Sequence, residues 1–252
     1  MRIIINADDC GISKSVNDKI EMCIKNGTLS STTIMANMPA LDGTKRLYDT
    51  YHEDISFGIH LNLTQGSPIK KSQILLDNGI YKEEAGTIVF NSEIASINKL
   101  FNKEISLALF NELDAQIQSV ADYNISFSHI DSHHHIHTRP YMLNIIPKLQ
   151  EKYKFNKIRR MRNYMPLSFG RIARDQWWYM LKFKTKGMKT TDYFTSFIEF
   201  IEHYKNGFIK QDSTVELMVH PGGFEEESEA PMLQKYNLKE LFNAEIINYN
   251  QL

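Results

Sequence analysis

The sequence predicts an α/β protein whose mostly parallel strands curl into a closed or partly open, TIM-barrel-like (β/α) barrel. Three observations carry this. Short β-branched runs alternate with longer amphipathic stretches along most of the 252 residues, an order that lays helices over a parallel sheet. The length suits one such barrel, and the first run lacks the Gly-rich turn that would favour a doubly wound sheet. Four of the runs end in polar residues able to bind a metal, as expected where loops converge at the C-terminal face of a barrel.

Each element has its own local reason. Arg2 to Ala7 reads as a buried strand. Ser13 then caps a helix with Val16, Ile20, Cys23 and Ile24 at helical spacing, and Gly27 ends it. Ser31 to Ala36 is a second β-branched run, followed by a helix near Leu41 to Tyr51 and a strand over Ile55 to Leu63. Residues 65–90 carry turn signals and little period, which marks an insertion or substrate loop. Glu93 to Tyr123 reads as one or two helices with Ala108, Leu109, Leu113, Ile117 and Val120 on one side. A strand over Ile125 to Ile130 leads to a helix near Tyr141 to Lys154, kinked or broken at Pro147. Lys157 to Met161 is a short strand, Ser168 to Tyr204 is mainly helical, and Thr214 to Val219 is the last clear strand. With no repeat, low-complexity tract or linker, residues 1–252 are expected to form a single domain.

Composition excludes several function classes. A net charge of -1 leaves no basic footprint for nucleic acid or an anionic membrane. No apolar run approaches the length of a membrane span, and Asp8-Asp9 interrupts the N-terminal apolar run too early for a signal peptide. Two cysteines, Cys10 and Cys23, make no disulfide framework, so a cytoplasmic location is expected. Homodimerisation is open on base rates alone.

Five of the nine histidines fall in His129-Ile-Asp131-Ser-His133-His134-His135-Ile-His137. Imidazole is the commonest metal ligand and titrates nearest neutral pH, so this density points to metal or proton chemistry. The first strand run ends in Asp8-Asp9, the third in His60, the fourth in the histidine cluster and the last in His220. Neighbouring strand residues point to opposite faces, so Asp8 and Asp9 can share a site only if the chain leaves strand geometry there, and Gly11 permits such a turn. In a strand His133, His135 and His137 would share a face; in a helix His133 and His137 would be neighbours.

The blocks Asn6-Ala-Asp8-Asp9-Cys10-Gly11-Ile12-Ser13, Ser31-Thr32-Thr33, Gly58-Ile59-His60-Leu61-Asn62-Leu63-Thr64, the histidine cluster and His220-Pro221-Gly222 resemble the YdjC-type carbohydrate deacetylase family in identity and order. That family includes chitooligosaccharide deacetylases. The resemblance implies a distorted (β/α) barrel and metal-dependent removal of an N-acetyl group from an amino sugar. It makes Asp9, His60 and His133 the metal ligands and Asp8 the catalytic base, with Mg²⁺ as the ion; Zn²⁺ is the chemical runner-up for a carboxylate and two imidazoles. His220 is the candidate proton donor to the leaving amine, with a simple turn role as its alternative. Asp131 is the candidate to fix a histidine tautomer. His137 rivals His133 as ligand, and His135 is a candidate to line the sugar site.

Cys10 stands where the family pattern leads us to expect an aromatic residue, and is read as a small packed side chain rather than a ligand. Arg159, Arg160 and Arg162 read as a surface basic run, with positioning a carboxylate or binding substrate as the alternative, and Trp177-Trp178-Tyr179 as core, with stacking on sugar faces as the alternative. Two other readings stay open: a non-catalytic metal- or sugar-binding protein, and a metal-dependent hydrolase of another amide or a phosphoester. The expected partner is a small acetylated sugar.

Overall fold

Parallel pairing dominates the computed structural model, which describes residues 1–163, 169–185, 187–222 and 229–252. In chain order the elements are β1 (Arg2–Cys10), α1 (Lys14–Lys25), β2 (Ser31–Ile34), α2 (Leu41–Tyr51), β3 (Ser56–Leu61), α3 (Gln73–Asp77), β4 (Tyr81–Glu84) and β5 (Thr87–Phe90). There follow α4 (Lys103–Asp122), β6 (Ile130–Ser132), α5 (Ile146–Tyr153), α6 (Phe169–Lys184), β7 (Tyr193–Ser196), α7 (Phe197–Lys205), β8 (Thr214–Val219), α8 (Glu229–Lys235), α9 (Leu238–Phe242) and β9 (Glu245–Ile246). The main sheet runs β6-β3-β2-β1-β8-β7, with β9 added beside the start of β1. Single parallel bridges, Ile130 to Ile158 and Lys157 to Lys189, extend the curl past β6. The result is a half-barrel flanked by helices, the distorted (β/α) barrel that the sequence predicts.

Alternation along β1 separates two interiors. Ile3, Ile5 and Ala7 join the large core between sheet and helices, together with Ile20 of α1 and Leu109, Leu113 and Ile117 of α4. Ile4 instead packs with Ile247 and Tyr249 in a small cluster on the other face. Asn6 and Asp8 share the parity of Ile4, and the inner face above that cluster is polar. Buried Ser31, Ser56, His60, Asp131 and Glu216 on the neighbouring strands belong to it. A polar interior of this kind depends on internal hydrogen bonds, and the candidate site supplies most of them, with Asn6 Oδ1, His129 Nε2, His135 Nδ1 and His137 Nε2 as exceptions among the described residues.

Several elements differ from the sequence expectation. Residues 65–90 form a short helix, α3, and an antiparallel hairpin, β4 with β5. Pro147 starts a helix rather than kinking one: a 3₁₀ turn over Pro140–Asn144 ends, and α5 carries Pro147 in its first turn, where the missing N–H has no intrahelical acceptor to lose. The strand before the histidines begins only at Ile130 and runs through Ser132. Lys157 to Met161 makes isolated bridges instead of a strand, and β7 interrupts the stretch expected to be helical. Ser168 and Gly223 lie outside the described residues.

Candidate metal centre

Asp8 and Asp9 reach one site because β1 bulges between them. From Ala7 to Cys10 the strand advances three positions while its β2 partners advance only from Thr32 to Ile34. Asp9 takes the left-handed φ of 67°, an uncommon conformation that Asp tolerates better than most residues. The strand alternation is thereby broken. Asp9 Oδ1 lies 3.3 Å from His60 Nε2, and Asp8 Oδ2 lies 4.0 Å from the same nitrogen. Cys10 returns to strand parity and faces away, its thiol buried beside Asn17 and Thr44 and pushed up to about 11 by burial. It packs and is no part of the ligand group.

His60 comes from β3 and His133 from the turn after β6. Ser132 is extended, but His134 and His135 take φ of 51° and 55°, left-handed values that break the histidine segment into tight turns instead of a strand or helix. The five histidines are thereby dispersed. His133 Nδ1 lies 3.0 Å from Asp9 Oδ1. His134 turns to the Thr64 hydroxyl, and His135 meets Phe194 edge-on with its Nδ1 buried and unpartnered among the described residues. His137 folds back on Ser132, 2.5 Å from Nδ1 to Oγ, and His129 stacks on Tyr249 below the site. Asp9, His60 and His133 have ligand atoms within 4.8 Å of one another.

Neighbours fix the tautomers. Asp131 Oδ1 accepts from His60 Nδ1 at 2.6 Å, which directs His60 Nε2 at Asp9. Gln65 Oε1 accepts from His133 Nε2 at 2.9 Å, which leaves His133 Nδ1 facing Asp9. Gln65 escaped the sequence reading because it sits in an unpatterned loop; its placement depends on Asn62, whose side chain accepts from the backbone N–H of Thr64 and Gln65.

Arg159 is the main correction to the sequence reading. It is 0% exposed, not part of a surface run, and its guanidinium is the hub of the site. Nη2 and Nη1 donate to Asp8 Oδ1 and Oδ2 at 2.6 and 2.7 Å, Nη1 also lies 2.7 Å from Asp131 Oδ2, and Nε donates to Glu216 Oε1 at 2.8 Å. The Phe194 ring lies against the guanidinium, 4.7 Å from its centroid. Arg162, by contrast, pairs with Glu199 in a half-exposed position.

Electrostatics follow from this packing. Burial pushes the Asp8 carboxyl up, but Arg159, with His60 and His220, overrides it and holds the group well below the usual carboxylate range. Asp9 is likewise held low against its burial by His133 and His60. Burial disfavours charge on His60, yet Asp131, Asp8 and Asp9 together push it up to about 10. The pocket therefore draws positive charge to the His60 Nε2 position. His220, at the end of β8 with its side chain 35% exposed, has Nε2 4.0 Å from Asp8 Oδ2. Its Nδ1 is 3.6 Å from Glu229, which also accepts from its backbone N–H; burial opposes protonation, but Glu229 and Asp8 raise its pKa.

The donor set fits a divalent cation. One carboxylate oxygen and two imidazole nitrogens converge, a cation would take the place of the His60 Nε2 proton, and the 3.0 and 3.3 Å spacings from Asp9 match the edge between neighbouring ligands that bonds of about 2.1 Å imply. The surplus of buried carboxylates over Arg159 supplies the negative field such an ion requires.

The model of the family described as YdjC-like protein matches residues 2–248. A carbohydrate deacetylase of Halalkalibacterium halodurans is 32% identical over 228 residues, covering 90% of this chain and 87% of that one. A carbohydrate deacetylase of Geobacillus stearothermophilus is 33% identical over 163 residues, 65% of this chain and 61% of the relative, so that match spans less than two thirds of its length. A solved structure from Enterococcus faecalis V583, provisionally described as a cellobiose-phosphate cleavage protein, shares the fold with a TM-score of 0.74 and 22% identity, over 99% of this chain and 98% of that chain.

Proposed function

The chain belongs to the family of YdjC-like proteins, and on that premise we propose that it is a divalent-metal-dependent hydrolase that removes the N-acetyl group from an acetylated amino sugar or short chitooligosaccharide. One observation carries the reading: Asp8, Asp9, His60, His133 and His220, spread over the chain, converge at the C-terminal ends of parallel strands. Relatives with carbohydrate deacetylase as their name support the substrate class.

Asp9, His60 and His133 hold the ion. When bound, it supplies Lewis acidity toward the amide carbonyl and lowers the pKa of water. Asp8 is the base. Its Oδ1 already accepts from Asn6 and Arg159 and its Oδ2 from one Arg159 nitrogen, so one lone pair of Oδ2 remains, on the side of His60 and His220. Held below the usual range, Asp8 is ionised at neutral pH and ready to take a proton from the attacking water. His220, whose raised pKa favours the protonated ring, delivers a proton to the leaving amine. Asp131 and Gln65 keep both histidine tautomers in register.

Mg²⁺ is the ion we propose from the family resemblance, with Zn²⁺ as the alternative that two imidazoles favour. No helix among the described residues is long and apolar enough to cross a membrane, and we place the reaction in the cytoplasm. The test is acetate release from N,N′-diacetylchitobiose and N-acetylglucosamine by chelated protein reloaded separately with Mg²⁺, Zn²⁺, Co²⁺ or Mn²⁺. Release with at least one ion is expected. Protein that binds an ion normally and releases no acetate from either sugar would sink the reading.

A further inference from the structure

We propose that Glu216 and the C-terminal Tyr249 are positioning residues for the hydrolysis, acting through Arg159 on the base Asp8; this rests on the deacetylase reading above. The path is continuous and buried. The Tyr249 hydroxyl donates to Glu216 Oε2 at 2.5 Å, Glu216 Oε1 accepts from Arg159 Nε at 2.8 Å, and the far edge of the same guanidinium grips Asp8. Among the described residues, the hydrogen bonds to the Glu216 carboxylate come from these two donors alone.

Two constraints fix a planar guanidinium: something must set its plane, and something must stop it turning within that plane. The Phe194 ring lies against one face, and Glu216 holds the Nε edge opposite Asp8. Glu216 is level with Phe194 across the β7–β8 pair, so both constraints come from one rung of the sheet. Without Glu216 the fork that points Asp8 Oδ2 toward the reacting water is free to pivot about its carboxylate contacts.

Tyr249 is held from outside the site. Its ring stacks on His129 at a centroid distance of 3.4 Å and 8° between planes, and its backbone N–H donates to Ser56 Oγ at 3.0 Å. Gly58 leaves the room that this stack needs, because a Cβ there would meet the His129 ring at 2.4 Å. The segment after β9 thus carries a hydroxyl into the barrel from the end opposite the metal centre. Its target is a carboxylate that touches no metal ligand.

The test compares wild type, Tyr249→Phe and Glu216→Gln, each metal-loaded, on N,N′-diacetylchitobiose. Both changes keep volume, and Tyr249→Phe keeps the ring stack. Loss of kcat by about 10- to 100-fold with KM and bound metal unchanged is expected. In an Asp8→Asn background the Tyr249→Phe change should cost no further turnover, because the group it positions is already gone. Unchanged kcat in both variants, or an equal loss with and without Asp8, would overturn the proposal. A second readout needs no substrate: hydrogen exchange of the Arg159 Nε–H by NMR, assigned with Arg159→Lys. Faster exchange in Tyr249→Phe supports the positioning, and unchanged exchange overturns it. If wild type releases no acetate at all, the deacetylase reading fails, while the exchange rates still decide whether Tyr249 holds the guanidinium.

Discussion

Arg159 holds Asp8 by two parallel hydrogen bonds of 2.6 and 2.7 Å, and the same Nη1 lies 2.7 Å from Asp131, the partner of His60. One buried cation therefore ties the candidate base to the orientation of a candidate metal ligand. Arg159→Lys keeps the charge and loses the fork, so it should lower kcat by about 10- to 100-fold while the protein still binds its ion. Arg159→Met leaves buried carboxylates unpaired and should cost about 3–5 kcal/mol of stability. Urea unfolding and acetate release on the same samples separate the two effects; a Lys variant with wild-type turnover would contradict the positioning role.

Asp9 combines the proposed ligand role with a left-handed backbone, and two substitutions separate them. Asn tolerates that backbone, whereas Ala pays about 1–2 kcal/mol to adopt it. Both Asp9→Asn and Asp9→Ala should lose metal affinity, and Ala should be the less stable by roughly that amount in urea unfolding. Equal stabilities would mean that the bulge relaxes freely.

Gln65 accepts from His133 Nε2 and so keeps His133 Nδ1 free for the ion. Gln65→Leu should weaken Zn²⁺ binding by about 10- to 100-fold, measured by competition with a chelating dye. Unchanged affinity would show that His133 keeps its tautomer without help.

Stability should fall with acid from an unusual starting point. His129 and His137 are buried, and burial holds both pKa values well below 6.5. Such groups contribute stability that is full above the unfolded value near 6.5 and is lost as pH falls below it, by at most about 1.4 kcal/mol per pH unit for each. Asp8, held below the ordinary carboxylate value of 3.8, contributes in a lower window: its share is present above 3.8 and is lost only as pH falls further. Urea unfolding at pH 7.5, 6.0 and 5.0 should therefore show a decline, opposed in part by Glu216, whose carboxyl burial pushes up to about 7 and which gains stability as pH falls through that value. A flat profile would mean that these rings find protonated partners.

What the sequence made legible was whatever depends on period and residue type. The α2 and β8 spans, the start of β1, the Ser13 cap and the polar residues at the strand ends all follow from local pattern, whereas β1 runs on past Ala7 to Cys10. What it hid depends on single dihedrals and long-range pairing. Asp9 and the His134–His135 pair leave strand and helix geometry through positive φ, which no periodicity encodes. Arg159 resembled a surface charge because its three carboxylate partners lie far away in sequence, on β1, β6 and β8. Tyr249 gave no signal at all, since only the fold brings the C-terminal segment beneath the site.

Whether Asp8 acts as a base beside an ion held by its neighbours is decided by one paired measurement. Metal content and acetate release from N,N′-diacetylchitobiose would be determined for wild type, Asp8→Asn and His133→Ala. Release by wild type is expected, with a loss of turnover of about 100-fold or more in Asp8→Asn with the ion retained, and loss of both ion and turnover in His133→Ala. Asp8→Asn protein that binds its ion and turns over like wild type would contradict the base role.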